Sequence, residues 1–295
     1  MFRVRRLLAP FVLCIALLFS EAQAFTIAWL SDTQNYHNAY KPIFDGMTQW
    51  IADNREALDI RFVFHTGDVV GSWSSEDQWR QARESMDILS SASIPFLAAC
   101  GNHDIGYRMN YANFLKYVLS LRPASMSQEY GDTGSRYELF SANGRDYIFM
   151  GIAFSNKGPS EDEVNWINGV LRQYSSRDAI IITHSYLKKS ASYTTQGKAI
   201  FEKIVKANPN VFLVLCGHCR DISYKNVQLD DDGDGNPDRT VYAILSNFQG
   251  SKAGGGGYMR ILDFRDSDIY IYTYSPYYDS CEYPKGKTEA TVPLP

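Results

Sequence analysis

"VFLVLCGHCRD", residues 211–221, supports two incompatible chemistries. Val211 to Cys216 is an unbroken apolar run, the pattern of a strand buried on both faces. It ends in Cys216-Gly217-His218-Cys219, which has the spacing of a dithiol redox centre. It is also a Gly-His pair delivered at the end of a strand, where an imidazole can face a ligand. In a dithiol redox domain the first cysteine opens a helix, whose N-terminus lowers its pKa. Here residues 220–230, "RDISYKNVQLD", set Asp221 beside Arg220 and carry β-branched and aromatic side chains without a helical period. A βαβ unit of the redox kind is also missing nearby. A disulfide oxidoreductase is the weaker reading, and the stretch reads as a strand that ends in a ligand-facing histidine.

The same form recurs along the chain. "FTIAWLSD" (25–32), "IRFVFHTGD" (60–68), "IPFLAACGN" (94–102) and "AIIITHS" (179–185) are apolar runs that end in polar, reactive residues. Helical patterns lie between them. Phe44, Met47, Trp50 and Ile51 share one helical face, as do Trp79, Ala82, Met86 and Leu89. Val164, Ile167 and Leu171 mark another helix, which Ser160 and Glu163 open as a capping box. Ala199, Ile200 and Ile204 mark one more. Asn143-Gly144 between apolar runs predicts a hairpin. "YMRILDFRDSDIYIYTYS" (258–275) alternates similarly around Asp266 to Asp268. Strands alternating with helices, plus hairpins, predict one α/β domain over residues 25–295, with mixed sheets covered by helices.

In such sheets ligands bind beyond the carboxyl ends of the strands. Those ends supply Asp32, Asp68, Asn102-His103-Asp104, His184 and His218. Carboxylate, amide oxygen and imidazole together are a ligand set for divalent metals. A lone strand-end His is usually hydrogen-bonded structure, and a lone Asp often caps the next helix. Five strand ends that all carry the right residue type point to one metal site.

Asp32 in "SDTQ", Gly67-Asp68, Gly101-Asn102-His103-Asp104, His184 in "ITHS" and Gly217-His218 resemble, in that order, the calcineurin-like metallophosphoesterases, purple acid phosphatases included. The family pattern is D-x-H, G-D, G-N-H-D/E, H and G-H-x-H. "SDTQNY", "VFHTGD" and "DDDGDGNPDR" resemble an exported bacterial branch. The resemblance implies a four-layer α-β-β-α sandwich with two mixed sheets and metals at the strand ends. It implies that Asp68 bridges two metals and that Asn102, His184 and His218 complete the second site. It also implies that His103 contacts the phosphate and protonates the leaving oxygen, with Asp104 orienting or polarising its ring. The implied cofactor is a divalent transition metal (Mn, Fe or Zn), one or two ions, and the implied partner is a phosphorylated substrate.

Two departures fall on the first metal site. D-x-H is here Asp32-Thr33-Gln34, and G-H-x-H is Gly217-His218-Cys219-Arg220. Gln34 can still offer a carbonyl oxygen, but Arg220 has no lone pair and stays cationic. Arg220 can instead clamp a phosphate oxygen. The expectation is one tightly bound metal and a weak or vacant neighbouring position. His37 and Cys219 are alternative ligands off the expected positions, and His65 reads as structural. A non-catalytic descendant that binds metal or phosphate is the alternative function.

The rest of the chain bounds these readings. Arg3, Arg5 and Arg6, the apolar run Leu7–Leu18 and Ala22-Gln23-Ala24 fit a signal peptide over residues 1–24. A retained anchor is its alternative, although the run is shorter than the 20 or so residues of a span. The bulky residues before Cys14 do not suit lipid attachment. Signal cleavage implies a secreted or periplasmic protein with no membrane span. The net charge of −4 gives no basic stripe, so no nucleic-acid partner is expected. Cys100, Cys216, Cys219 and Cys281 permit disulfides in three pairings that sequence cannot separate. Asp230, Asp232, Asp234, Gly235 and Asp238 mimic the opening of a calcium loop, but Val241 stands where the bidentate Glu belongs. A solvated acidic hairpin turn is expected there, with calcium at 230–238 as the alternative. The tyrosine-rich tail, "YIYTYSPYYDSCEYP" (270–284), reads as sheet packing and a C-terminal wrap.

Overall fold

Alternation along the first strand, β1 (Phe25–Leu30), sets the layering. Phe25, Ile27 and Trp29 point to one side and join Phe62, Phe64, Phe149, Ile180, Ile182 and Leu215 in a single cluster. Ala28 and Leu30 point to the other side, toward Phe44, Met47, Ile51, Trp79 and Met86. With a side-chain period of two, a strand that is apolar on both faces must be covered on both. In the computed structural model, which describes residues 24–121, 127–284, 286 and 288–295, it is. The proposed signal peptide lies outside the described residues, except for Ala24.

β1 pairs in parallel with β2 (Ile60–His65), and β2 with β3 (Phe96–Ala98). On its other edge β1 meets β11 (Met259–Phe264), then β12 (Asp268–Tyr274) and β13 (Ala290–Pro293), all antiparallel. The second sheet holds β4 (Ser127–Tyr130), β5 (Ser135–Ala142), β6 (Arg145–Ile152), β7 (Asp178–Thr183), β8 (Val211–Cys216), β9 (Asp221–Leu229) and β10 (Arg239–Asn247). Its order is β4-β5-β6-β7-β8-β10-β9, with the run from β6 to β10 parallel and the edges antiparallel. Helices α1 (Lys41–Asp53) and α2 (Glu76–Ser91) cover the outer face of the first sheet. Helices α5 (Glu161–Gln173) and α6 (Thr195–Ile200) cover the second. Two shorter helices, α3 (Asn102–Ile105) and α4 (Ala112–Tyr117), follow β3. The architecture is the four-layer sandwich with two mixed sheets that the resemblance implied.

Local signals explain most turns. Asn143 and Gly144 carry φ of 53° and 73°, the pair of positive values that a two-residue type I′ hairpin needs. The stretch 221–229 is a strand, and the acidic residues 230–238 form the turn between β9 and β10, as expected. The capping box at α5 is only half formed. Ser160 Oγ accepts from the Glu163 N–H, but the Glu163 carboxylate takes the Ser135 hydroxyl 2.5 Å away instead of reaching back. Tertiary packing of β5 against α5 overrides the local motif.

That buried contact gives a pH prediction. Burial raises the Glu163 pKa above its ordinary value, against the opposing hydrogen bonds from Ser135 and Ser160. A raised folded-state pKa means that its stabilising contribution is complete below the unfolded pKa and lost as pH rises through the folded value. Glu163→Gln keeps an acceptor for Ser135 and removes this titration. Thermal melts should show the variant gaining on the parent as pH rises above the ordinary glutamate range. An offset that does not change with pH contradicts the assignment.

Candidate functional site

The parallel strands of both sheets deliver their carboxyl ends to one place. Three residues there hold left-handed backbone without being glycine: Asp32 (φ 52°), Asp68 (φ 55°) and His218 (φ 70°). Such conformations cost about 1–3 kcal/mol each and cluster at functional sites. Close backbone approach is bought by glycines. A Cβ on Gly101 would lie 2.1 Å from Asp68 Oδ1, and one on Gly217 would lie 2.3 Å from Asp32 Oδ2.

His184 is the fully buried centre of the cluster. Its Nδ1 lies 2.8 Å from the Thr66 carbonyl, which can only accept, so the proton sits on Nδ1 and Nε2 turns inward. Asn102 Oδ1 at 3.1 Å, Asp68 Oδ2 at 3.2 Å and His218 Nδ1 at 3.2 Å all converge on that Nε2. One nitrogen can donate a single proton, yet two oxygens and a second imidazole nitrogen face it. Lone pairs collected around one point are what a cation resolves, and a backbone carbonyl that fixes the ligand tautomer is the usual outer support. Donor atoms of Asp68, His184 and His218 all lie within 4.8 Å of one another. This mixed N/O set fits a divalent transition ion.

The electrostatics agree. Burial works against the His184 imidazolium, but Asp68 and Asp32 outweigh it and raise the pKa to about 9. Burial likewise opposes charge on Asp68, yet His184 and the His103 N–H hold it below the usual carboxylate range. Burial pushes Asp32 up, and the Asp68 charge adds to this against the opposing His184. His218 is lowered to about 4 by burial and by His184, so it presents a neutral ring. Without a cation, the His184 proton balances the carboxylates.

The neighbouring position is differently furnished. Both Asp32 oxygens accept from the His218 N–H, at 3.2 and 3.3 Å, and Oδ2 also takes the Ser31 hydroxyl. Gln34 is buried; its Nε2 donates to Gln249 Oε1, which leaves Gln34 Oε1 buried without a partner. Arg220 is exposed, its stem beside Gly250, and its guanidinium makes no ion pair among the described residues. His37 and Cys219 do not belong to the Asp68–His184–His218 group. His65 is fully buried behind the site, with Nε2 3.0 Å from Thr33 Oγ1, and is structural.

One implied role is corrected. Asp104 does not touch the His103 ring. Its Oδ1 accepts from the N–H groups of Val69 (2.8 Å) and Val70 (3.1 Å), and its Oδ2 from Gly101 N–H at 2.7 Å. As the third residue of α3 it turns back to the N–H that precedes the helix, at Gly101, and ties that helix start to the loop after β2 through Val69 and Val70. The His103 ring is held instead by the Gly71 carbonyl, 2.9 Å from Nδ1. Sequence reading also missed Asn247 and Gln249. Asn247 Nδ2 donates to the His218 carbonyl at 3.1 Å, and its Oδ1 accepts from Gln249 N–H at 2.9 Å. They carry no motif, and only the end of β10 brings them here.

A layered sandwich with carboxylate, amide and imidazole donors gathered at its strand ends is the framework of a metal-dependent phosphoesterase. The calcineurin-like phosphoesterase family model matches residues 25–219, and the chain belongs to that family. It is 41% identical over 259 residues to YvnB of Bacillus subtilis (strain 168), covering 86% of this chain and 20% of that protein. The chain thus spans about a fifth of the length of this relative. A dimetal phosphatase from Danio rerio superposes with a TM-score of 0.61 at 12% identity, over 91% of this chain and 98% of that one. The purple acid phosphatase PPD1 from yellow lupin gives 0.59 at 14%, over 92% and 54%. GAP50 of Plasmodium, described as the anchor in the inner membrane complex, gives 0.59 at 14%, over 92% and 89%. These structural likenesses show the shared fold.

The four described cysteines carry no redox signature. Cys100, Cys216, Cys219 and Cys281 are all free thiols. Burial pushes Cys216 up to about 12, the opposite of a reactive thiolate. Alkylation followed by mass spectrometry should label exposed Cys281 first and leave buried Cys100 and Cys216 until unfolding. Early labelling of Cys216 in the native protein contradicts this. The Asp230, Asp232 and Asp238 carboxylates also lie near one another, but they are exposed and brace their own turn. Asp230 accepts from the N–H groups of Gly233 and Gly235, and Asp238 from those of Asp231 and Asp232.

Proposed function

We propose that this chain hydrolyses phosphoesters with a metal ion held by Asp68, Asn102, His184 and His218, and with Asp32 and Gln34 beside it. The convergence of two oxygens and a second imidazole nitrogen on His184 Nε2 carries this reading. A divalent ion bound there supplies charge that offsets the phosphate and acidifies water at the reaction centre. The chain's own residues do the rest. The Thr66 carbonyl keeps the His184 lone pair turned inward, and Asn247 holds the strained His218 backbone. His103 Nδ1 is occupied by the Gly71 carbonyl, so His103 Nε2 is the nitrogen left to hand a proton to the leaving oxygen. Asp104 fixes the start of α3, and so places Asn102 and His103. Exposed Arg220 is free to receive a phosphate oxygen in bidentate fashion.

The test is turnover of chromogenic phosphomonoesters and diesters with Mn²⁺, Fe²⁺ or Zn²⁺. His103→Ala should reduce kcat by about 10²–10⁴-fold while metal content stays unchanged. Unaltered turnover removes His103 from the reaction.

A second reading, a non-catalytic metal- or phosphate-binding descendant, is favoured by the amide pairing of Gln34 with Gln249 and by cationic Arg220. The Plasmodium neighbour that shares this fold is described as an anchor, which is compatible with this second reading. Restoring both imidazoles, Gln34→His with Arg220→His, separates the two. A large gain in metal content and turnover means a catalytically degraded site. The basic and apolar residues at the start of the chain support export to an extracytoplasmic compartment.

A further inference from the structure

Beside His103 the chain builds an aromatic corner that neither the metal ligands nor the core requires. Trp73 lies two residues beyond Gly71, whose carbonyl holds the His103 ring. Its own carbonyl is fixed by Trp79 Nε1 at 2.8 Å and Asn113 Nδ2 at 3.0 Å. Its indole packs on Gly106, which ends α3 with φ 60° and ψ −172°, backbone that favours glycine. A Cβ at Gly106 would lie 2.2 Å from Trp73 Cδ1, so glycine here makes room for the indole. Tyr107 follows, its ring 6.4 Å from that of Trp73 and perpendicular to it at 89°. It is 78% exposed, the most exposed large apolar side chain among the described residues. Arg108 props it, with the guanidinium 5.5 Å from the ring centre and Nε 3.1 Å from the hydroxyl. The Trp73 indole N–H has no partner among the described residues.

Two rings set at right angles, one standing in water and the other half-buried, bury little surface on their own account. A flat ring can stack on one of them and meet the other at a right angle, both being favourable aromatic geometries. Both side chains are tied to the histidine proposed as proton donor: Trp73 stands two residues after Gly71, whose carbonyl holds the His103 ring, and Tyr107 four residues after His103 itself, which sets them on the side proposed for the leaving group. We propose that Trp73 and Tyr107 form a leaving-group subsite for a planar aromatic ring, so that the preferred substrates are phosphate esters of alcohols that carry one. This rests on the phosphoester-hydrolase reading only for its catalytic consequence. The binding itself does not need turnover.

Adenosine 5′-phosphate and ribose 5-phosphate share one leaving alkoxide and differ only in the base, so intrinsic reactivity cancels between them. Benzyl phosphate against cyclohexylmethyl phosphate makes the same comparison for a small ring. The parent should prefer the aromatic member of at least one pair in kcat/KM by about tenfold or more, as stacking on an aromatic side chain provides. Which pair responds tells a nucleoside from a simple aryl alcohol. Tyr107→Ala, at an exposed position that does not endanger folding, should bring the ratio toward one. Independently, adenosine should quench tryptophan fluorescence in the parent and not in Trp73→Phe. Aromatic preference or quenching that depends on these two residues upholds the subsite even if no ester is turned over, in which case the hydrolase reading alone fails. Ratios near one in the parent together with no quenching, or responses untouched by both substitutions, overturn it while leaving any hydrolysis intact.

Discussion

Replacing His184 with alanine is expected to abolish tight metal binding, and with it any phosphoester turnover. Loss of an outer-sphere partner alone typically costs 10–100-fold in metal affinity. His184 offers the nitrogen on which the other donors converge, so its removal should cost more than about 100-fold. The same change leaves Asp68 and Asp32 buried without their counter-charge, and breaking such a pair costs about 3–5 kcal/mol of stability. Loss of metal must therefore be separated from loss of fold. Asn102→Ala does so, because Asn102 is only half-buried and its loss leaves the Asp68–His184 pair in place. It should weaken metal binding in equilibrium dialysis while thermal melts of the metal-free protein barely change. If both variants retain parental metal content, the ligand assignment is wrong.

The second large effect is predicted at Gly101, a residue that contacts no ion. Its φ of −103° suits any amino acid, so alanine there suffers no backbone strain. What fails is space: the new Cβ meets Asp68 Oδ1 at 2.1 Å and the Asp68 N at 2.4 Å. Neither can retreat, since Oδ1 also accepts from the His103 N–H at 2.9 Å and the Asp68 backbone is already left-handed. Gly101→Ala should cost about 1–3 kcal/mol in urea unfolding, the usual penalty of overpacking, and displace a metal ligand at the same time. Gly169→Ala in α5 is the control. Nothing lies within 4 Å of the added carbon, and an alanine inside a helix should gain up to about 1 kcal/mol. Equal effects at the two glycines contradict the account of close approach at Asp68.

The sequence shows the layering because two-faced apolar strands admit few arrangements. It shows the ligands because each stands in the first few residues beyond such a strand. Asp32, Asp68, Asn102, His184 and His218 could be picked out from position alone, and their meeting followed from parallel strands sharing one carboxyl edge. Roles that depend on side-chain direction were not legible. Asp104 stands next to His103 in the chain, but a helix start turns it away, toward the N–H groups of Gly101, Val69 and Val70. The Thr66 carbonyl that sets the His184 tautomer is a backbone atom and leaves no trace in residue type. Asn247 and Gln249 are ordinary amides until β10 lies beside β8. At α5, the capping pattern of Ser160 and Glu163 was right for the serine and wrong for the glutamate, because Ser135 comes from a distant strand. Spacing reveals which residues arrive, and only packing reveals which way they face.

The most direct measurement is anomalous X-ray scattering from crystals grown with Mn²⁺ or Zn²⁺. A single strong peak should lie among Asp68 Oδ2, Asn102 Oδ1, His184 Nε2 and His218, with weaker or no scattering beside Asp32 and Gln34. A peak in the acidic turn at 230–238 alone, or none at saturating metal, contradicts the claim that these strand ends were assembled to hold a cation.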